Sequence, residues 1–409
     1  MISARVQSAY HRAKRHFGEE FAEEVANYGR RYEHLLRGLG AAEAAGNRRK
    51  VREMQDLILR SYSAKMVCLV RSIRPGDSWT PETIKHIAGS LDPRKNCGEK
   101  IGVRADPKGS GTGWRPITIF GPKRQALHRL VLDILDVRFP TDEFNFLVKG
   151  KGAERASDRI VELFQVEGLR FFVLADIEEC FRSVQHEQVS KVTKLPQEVV
   201  KQTILINSPQ SLCVIGGLPP NTDMTLLVGA AQEGLPQGSR VSQKVAAIVL
   251  GPALRKITSA GRIVSVSDDI ALGAASFYEA EALTKALNGV LESHPAGPFR
   301  LKRCEIRYIG DGFSFLQYHH RRNAFTNQVH RRPGTSSYTR YSRRVVRLFA
   351  DNDYRIAFRH CARYRWRWMR SFRRWPWNSL SKLLLWLTTL DAIREGLYIK
   401  SKNGVQKSA

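Results

Sequence analysis

Three short segments contain the side chains that could do chemistry in this protein. In chain order they are LADIEECF (174–181), GLPQGSRVSQ (234–243) and IVSVSDDI (263–270). The first places a lone carboxylate, Asp176, after an apolar run, and the third places Asp268 and Asp269 at the tip of a predicted hairpin. Carboxylates from separate strands can hold two divalent cations, and two cations can drive in-line attack on a nucleotide triphosphate. The spacing therefore predicts nucleotidyl transfer.

Each carboxylate also has a simpler explanation. Asp176 follows FFVLA (171–175), a nearly all-apolar run that is typical of a buried central strand, and a charge there needs a partner such as a metal ion. The alternative is an Asp that caps a helix beginning at Ile177. Asp268 and Asp269 could form an ordinary surface turn, although adjacent like charges are unfavourable unless solvent or cations compensate them.

The charge of the chain predicts a polyanionic ligand. The 409 residues, enough for two or three subdomains, include 66 Lys and Arg against 39 Asp and Glu, a net charge of +27. Residues 319–409 contain 21 Lys and Arg and 4 Asp and Glu, a net charge of +17. We therefore expect nucleic-acid binding, with a basic C-terminal module on the phosphate backbone.

Other site classes are excluded by spacing. The six cysteines are scattered without a C-x-x-C pair, which excludes a zinc site and predicts free thiols in a reducing cytoplasm. The N-terminus lacks the continuous apolar core of a signal peptide, and the run 383–390 is too short to span a bilayer, so no membrane contact is expected. Residues 108–113 lack the Gly-Lys-Ser/Thr ending of a phosphate loop and predict a flexible hairpin tip.

The coarse pattern predicts an α+β fold. Residues 1–72 show helical spacing of apolar side chains, with breaks at Gly38–Gly40 and Gly46–Asn47. From Trp114 the pattern becomes mixed, with a strand over 115–120 and a helix over 125–137. The last segment, 319–409, is predicted to be helical and basic.

From about Trp114 to Tyr318 the chain resembles the reverse transcriptase family, and GLPQGS (234–239) is the most specific string. The resemblance implies a right-hand polymerase with an antiparallel palm sheet. Its parts would be an N-terminal helical extension (1–92), fingers (93–170), a palm (171–318) and a basic helical thumb (319–409). The implied enzyme is an RNA-directed DNA polymerase that makes cDNA from dNTPs on an RNA template, with a dedicated noncoding RNA as one candidate template.

The resemblance also implies the catalytic residues. Asp176 and Asp268 would bind two Mg²⁺ ions, with Mn²⁺ as the alternative, and Asp269 would have a lesser role. Ile177, next to Asp176, belongs to the same implied metal site. Lys302 would protonate the leaving pyrophosphate, and Arg303 aligns almost as well.

The nucleotide and the nucleic acid would be bound elsewhere. Arg115 would contact the triphosphate, because its planar fork matches phosphate oxygens. Phe181 would lie under the sugar and exclude a 2′-hydroxyl. The template strand or nucleotide would contact Gln237, Gly238 and Ser239. On the C-terminal helix the arginines expected on the phosphate backbone are Arg355, Arg359, Arg363, Arg367, Arg370 and Arg374, opposite an apolar face made by Tyr354, Phe358, Cys361, Trp368 and Phe372.

Several positions depart from the family pattern. Val266-Ser267 replaces Tyr-x before the two aspartates, Ser242-Gln243 replaces Ser-Pro, and Gln317 replaces a Gly. These departures favour a stand-alone bacterial enzyme of anti-phage defence. The alternatives are a diversity-generating or retron-like retroelement enzyme, a template-independent or RNA-producing polymerase, and a catalytically weak RNA-binding scaffold. Oligomers are compatible with all of them.

Overall fold

The computed structural model describes residues 3–74, 76–108, 113–147, 152–218, 222–372, 375 and 378–406. The chain divides into two compact units, and each is assembled from three stretches. The first unit comprises Met1–Asp142, Glu179–Lys256 and Gly289–Arg300, and the second comprises Glu143–Glu178, Ile257–Asn288 and Leu301–Ala409. The predicted division into extension, fingers, palm and thumb stays a prediction.

The described residues form runs of helices and mainly antiparallel sheets, so the predicted α+β class is confirmed. The helices are α1 (Ala4–Phe17), α2 (Glu19–Ala44), α3 (Arg48–Arg60), α4 (Tyr62–Val70), α5 (Pro81–Ser90), α6 (Pro122–Arg138), α7 (Gly152–Gln165), α8 (His186–Thr193), α9 (Gln197–Thr203), α10 (Met224–Gln232), α11 (Arg240–Leu254), α12 (Phe277–Glu292), α13 (Thr335–Asp351), α14 (Tyr354–Ser371) and α15 (Ser379–Gln406). The strands are β1 (Ile101–Pro107), β2 (Trp114–Phe120), β3 (Phe171–Ile177), β4 (Leu212–Val214), β5 (Ile263–Val266), β6 (Asp269–Ala274), β7 (Leu301–Tyr308), β8 (Phe313–Phe315), β9 (Tyr318–Arg322) and β10 (Val329–Pro333). None of the described helices combines the length and apolar composition that a membrane crossing requires.

The N-terminal helices of the first unit pack through glycines. The predicted helix break at Gly38–Gly40 is wrong, since α2 continues through both residues to Ala44. A Cβ added to Gly38 would lie 2.7 Å from the Met54 side chain of α3, so this glycine permits close helix packing and does not end the helix. The second predicted break is confirmed, because Asn47 caps α3 by accepting a hydrogen bond from the Lys50 amide.

The first unit also contains a three-stranded sheet in the order β2-β1-β4. The predicted strand over 115–120 and the predicted helix over 125–137 are confirmed as parts of β2 and α6. β1 and β2 form an antiparallel hairpin, and the Lys108 amide donates to the Gly113 carbonyl at its end (3.0 Å). Residues 109–112 of the predicted hairpin tip (108–113) lie outside the described residues.

The second unit is built on a four-stranded antiparallel sheet in the order β5-β6-β3-β7. β3 lies inside the sheet with Phe172 to Ala175 buried, so the predicted central strand is confirmed. Apolar side chains of β3, β5 and β6 pack with Ile160 of α7 in one core cluster. This core fixes the ends of β3 and β6, where the aspartates lie.

The prediction that 319–409 is helical throughout is wrong for its first part. Residues Tyr318–Arg322 and Val329–Pro333 form β9 and β10, which pair with each other and with β8. Tyr318 and His320 are buried at alternate positions of β9, as expected for a half-exposed strand. Helices α13, α14 and α15 follow and share an apolar core that includes Tyr341, Trp368 and Leu385.

Candidate active site

The central strands bring two of the predicted carboxylates together. Asp176 of β3 and Asp269 of β6 are direct partners in the antiparallel register. Directly opposed residues project from the same face of a sheet with Cβ atoms roughly 4.5–5.5 Å apart. The pairing of buried residues along the rest of β3 and β6 holds this register, because a one-residue slip would turn every apolar side chain to the wrong face.

The third carboxylate lies in the turn between β5 and β6. The predicted hairpin is confirmed, but its tip is shifted by one residue: Val266 pairs with Asp269, so Ser267 and Asp268 form the two-residue loop and Asp269 begins β6. Ser267 has φ 61°, the left-handed conformation that such tight turns require. The Ile177 amide donates to the Asp268 carbonyl (3.2 Å), which ties the turn to the end of β3.

The capping explanation for Asp176 is wrong. Ile177 is the last residue of β3, and the next helix begins only at His186. Asp176, Asp268 and Asp269 are all half-buried. These carboxylates therefore lie at the end of the sheet, and the backbone hydrogen bonds of the sheet do not compensate their negative charge.

Burial and mutual repulsion both act on these acids. Burial raises the pKa of Asp176, the charge of Asp268 raises it further, and Lys302 and Arg303 act in the opposite direction. Burial, with the charges of Asp268 and Asp176, raises the pKa of Asp269 to about 6. A cation bound here would relieve this repulsion.

Two basic residues of β7 lie beside Asp176. Arg303 is its direct partner, and the register shifts between Asp176 and Ile177, so that Lys302 is the extra residue of a bulge. Both side chains are exposed. A third cation, Arg340 of α13, is close enough to lower the pKa of Asp269. Sequence reasoning missed Arg340, because no local pattern connects it with a strand 71 positions earlier in the chain.

The donor set fits Mg²⁺ in part. Among the described residues, no group of three or more His, Cys, Asp or Glu side chains is arranged as a complete metal site. The carboxylates instead offer oxygen ligands with uncompensated negative charge. Mg²⁺ commonly takes one or two carboxylates and completes its shell with waters and substrate phosphates. The residues present suit that mode of binding.

Replacing Asp269 by Asn is expected to stabilise the metal-free protein at pH 7.5 by about 1–2 kcal/mol. The folded state raises the pKa of this acid from 3.8 to about 6, so ionised Asp269 opposes folding. That penalty is fully present above pH 6, falls as pH drops through 6, and is absent below about 4. Thermal unfolding of both proteins from pH 4 to 8 in EDTA measures the difference.

Mg²⁺ is expected to reduce the difference in unfolding midpoint between wild type and Asp269→Asn, because a bound cation compensates the repulsion between the carboxylates. Asp311→Asn is the matched control, since Asp311 is exposed in a turn of the same unit. Equal unfolding midpoints for wild type and Asp269→Asn at every pH would show that the three carboxylates do not repel one another.

The glycine-rich loop is held in the first unit by backbone contacts. Gly234 has φ 56°, and a Cβ there would lie 2.2 Å from the Phe181 carbonyl oxygen. Gly238 has φ 110°, and its Cβ would lie 2.4 Å from the Thr118 carbonyl oxygen of β2. Thr118 donates to the Gln237 carbonyl from both its amide (2.7 Å) and its hydroxyl (2.6 Å). Both glycines are therefore required by the packing of the protein itself.

The other predicted nucleotide contacts lie in the same unit. Gln237 and Phe181 are half-buried, and Arg115 is exposed on β2. Ser239 is buried, and its hydroxyl caps α11 by accepting from the Val241 amide (3.2 Å). The structure thus gives Ser239 a helix-capping role, and its contact with a nucleotide stays a prediction.

Helix α14 presents a row of cations. Five of the six predicted arginines are exposed, namely Arg355, Arg359, Arg363, Arg367 and Arg370, and Arg374 lies outside the described residues. The predicted apolar face is partly wrong. Cys361, Trp368 and Phe372 are buried, whereas Tyr354 and Phe358 are exposed, because the buried side of α14 runs through Ala357. The guanidinium of Arg370 lies over the Trp366 ring, 4.6 Å from its centroid.

Comparison with known proteins gives distant structural similarities alone. No family model and no curated protein matches the chain. It is similar to the structure of telomerase from Candida albicans in complex with a fragment of telomeric RNA, with TM-score 0.37 and 11% identity over 76% of this chain and 60% of that one. It is also similar to apo telomerase from Candida tropicalis truncated from its C-terminal domain, with TM-score 0.37 and 9% identity over 58% of this chain and 56% of that one. The chain thus spans less than two thirds of each neighbour, and a TM-score of 0.37 is too low to support a shared activity.

Proposed function

We propose that the protein is an RNA-directed DNA polymerase that extends a 3′-hydroxyl with dNTPs. The observation that supports this most is the pairing of Asp176 with Asp269 across β3 and β6, with Asp268 on the adjoining turn. Carboxylates from two strands at one sheet end suit a two-cation reaction. The capping alternative for Asp176 fails, and the basic α14 is suited to a polyanion.

Asp176 and Asp268 would hold the cations, with Ile177 next to them and Asp269 adding negative charge. When bound, the two ions would lower the pKa of the attacking hydroxyl and stabilise the leaving pyrophosphate. Lys302 is exposed, and its charge already acts on Asp176. We assign to Lys302, in preference to Arg303, the transfer of a proton to the leaving pyrophosphate, because Lys302 is the extra residue of the bulge beside Asp176.

The proposal has a direct test. The purified protein is incubated with Mg²⁺, labelled dNTPs and the RNA that copurifies from cells. Labelled product is expected, and its sequence identifies the template. RNA that stays bound while no product forms with any template would favour the RNA-binding scaffold. The defence role stays a prediction of the sequence, and the identity of the copied RNA separates it from a retroelement role.

Replacing Phe181 by Ala is expected to lower the preference for dNTPs over rNTPs by roughly 10- to 200-fold, the range in which a pocket discriminates small groups. The half-buried ring would no longer exclude a 2′-hydroxyl. The Phe181 carbonyl accepts from the Leu235 amide (2.7 Å), and this backbone bond survives the substitution. Single-nucleotide incorporation kinetics with dGTP and GTP measure the ratio. Phe181→Tyr keeps the ring and serves as the control. An unchanged ratio of dGTP to GTP incorporation in Phe181→Ala would show that Phe181 does not exclude the 2′-hydroxyl.

A further inference from the structure

A cavity of about 140 Å³ lies beside the glycine-rich loop in the first unit. It is lined by Phe120, Gln125, His128, Arg129, Gly238 and Arg240, among others. Its wall therefore includes the residues that directly follow Gln237 in the chain. Two arginines and the start of helix α11 line this cavity. None of the three predicted catalytic carboxylates lines it.

Four arginines from four elements converge on this region. Arg12 of α1 donates to the Ile73 carbonyl, and Arg129 of α6 donates to the Ser72 hydroxyl (3.0 Å), so both guanidinium groups lie on one turn. Arg71, at the end of α4, precedes that turn, and Arg240 begins α11. Burial and the charges of Arg71, Arg240 and Arg12 lower the pKa of Arg129 to about 10. Arg71, Arg240 and Arg12 are therefore each close enough to act on the Arg129 guanidinium.

The protein does not supply enough counter-charge for this cluster. Asp133 is the buried acid of the region, and it already accepts from Arg71 (2.7 Å), Arg5 (2.9 Å) and Tyr32 (3.1 Å). Within the described part of the chain, Arg12, Arg129 and Arg240 have no carboxylate within ion-pair distance. Crowded cations without counter-ions are unfavourable unless an anion compensates them.

The remaining wall also suits an anion. Burial and the nearby Arg124 lower the pKa of His128 to about 3, so its ring is neutral and contributes hydrogen bonding without charge. Its Nδ1 lies 3.3 Å from the Ser239 hydroxyl, which caps α11. The start of α11 directs the positive end of the helix dipole toward the cavity beside Arg240.

We propose that this cavity is a phosphate subsite, in which Arg129 and Arg240 bind one backbone phosphate of the RNA strand that the polymerase holds. The subsite rests on the proposed function. Arginine matches phosphate oxygens bidentately, and the cavity is contiguous with the loop that follows Gln237. Arg12, which has no carboxylate partner among the described residues, adds positive charge near Arg129.

RNA binding by single variants tests the subsite. Fluorescence anisotropy of a labelled single-stranded RNA is measured with wild type, Arg129→Gln and Arg240→Gln at several salt concentrations. Each variant is expected to bind about 10-fold more weakly and to lower the slope of log affinity against log salt by about 0.7, the value for one phosphate contact on a single strand. Arg49→Gln removes one exposed arginine from α3 and is the control for net charge. Slopes equal to that of Arg49→Gln would overturn the subsite.

Two further measurements distinguish an RNA phosphate from a free phosphate ion, and a lost contact from a misfolded variant. Thermal unfolding identifies misfolded protein, and Arg240→Gln alters an exposed side chain, so it tests the site even if Arg129→Gln fails to fold. Inorganic phosphate at constant ionic strength is expected to raise the unfolding midpoint of wild type, whether the cavity binds an RNA phosphate or only a free phosphate ion. If it does so while both variants bind RNA like the control, the cavity takes a free anion and the proposal is wrong. If both variants bind RNA more weakly and the wild type makes no DNA, the subsite stands and the proposed polymerase activity is wrong.

Discussion

Replacing Asp268 by Asn is expected to reduce deoxynucleotide incorporation by roughly 1,000-fold or more. A cation at this position would contribute several kcal/mol of charge stabilisation, and about 4 kcal/mol corresponds to a factor of 1,000 in rate. The amide keeps the shape of the side chain and removes its charge. Because the Ile177 amide bonds the backbone carbonyl of Asp268, the tie between the turn and β3 is kept. The fold should therefore survive while the reaction is lost.

The measurement is the initial rate of labelled dNTP incorporation on a defined RNA template, with Asp311→Asn as the matched control. RNA binding is measured in parallel and is expected to stay within about twofold, since one charge among many is changed. Activity within tenfold of wild type would place the reaction outside this sheet end. Loss of activity together with loss of RNA binding would instead indicate misfolding, which thermal unfolding decides.

Local sequence patterns were enough to predict the elements that carry the carboxylates. An unbroken apolar run predicted the buried strand β3, and the alternation of apolar and small polar residues over 263–267 predicted the first arm of the hairpin. The partner of Asp176 could not be predicted in the same way. The two-residue turn at Ser267 and Asp268 places Asp269, and not Asp268, directly opposite Asp176. That register depends on tertiary packing that no local pattern encodes.

Glycines show the same limit. The resemblance implied that the template strand or nucleotide contacts Gly238, but the group nearest to a Cβ at Gly238 is the Thr118 carbonyl of a strand 120 positions earlier. Gly38 was predicted to break a helix, and it instead makes room for Met54. The opposite case is Gln317, the position predicted to depart from a glycine, which has φ 76° in the β8–β9 turn after Leu316 at φ 48°. Both turn residues are left-handed, a conformation that favours glycine, so this departure carries a local conformational cost.

The arginine cavity was beyond sequence reasoning for a related reason. Its four cations are spread from position 12 to position 240, and each is ordinary in its own helix. Only the fold brings Arg12, Arg71 and Arg240 to Arg129 and commits Asp133 to other partners. By contrast, the α14 arginines recur within one helix, so their exposure could be predicted from spacing alone.

Replacing the five described arginines of α14 by Gln is expected to weaken binding of RNA of any sequence by roughly 4,000-fold at low salt. Five contacts of about 1 kcal/mol each would be lost. The slope of log affinity against log salt should fall by about 3.5, since each contact on a single strand contributes about 0.7. Ala357, Cys361 and Trp368 keep the buried face of the helix, so the unfolding midpoint should change little.

A control of equal charge decides whether the position of these arginines matters. Five exposed arginines of α2 and α3 are replaced by Gln in the control, namely Arg30, Arg31, Arg37, Arg49 and Arg52. Both variants have the same net charge, so a long-range effect of charge would weaken binding equally in both. We expect the α14 variant to lose at least tenfold more affinity than the control, because direct phosphate contacts release counterions and distant charges do not. Equal losses would show that α14 is only a highly charged surface helix and that the main contacts with the phosphate backbone lie elsewhere in the protein.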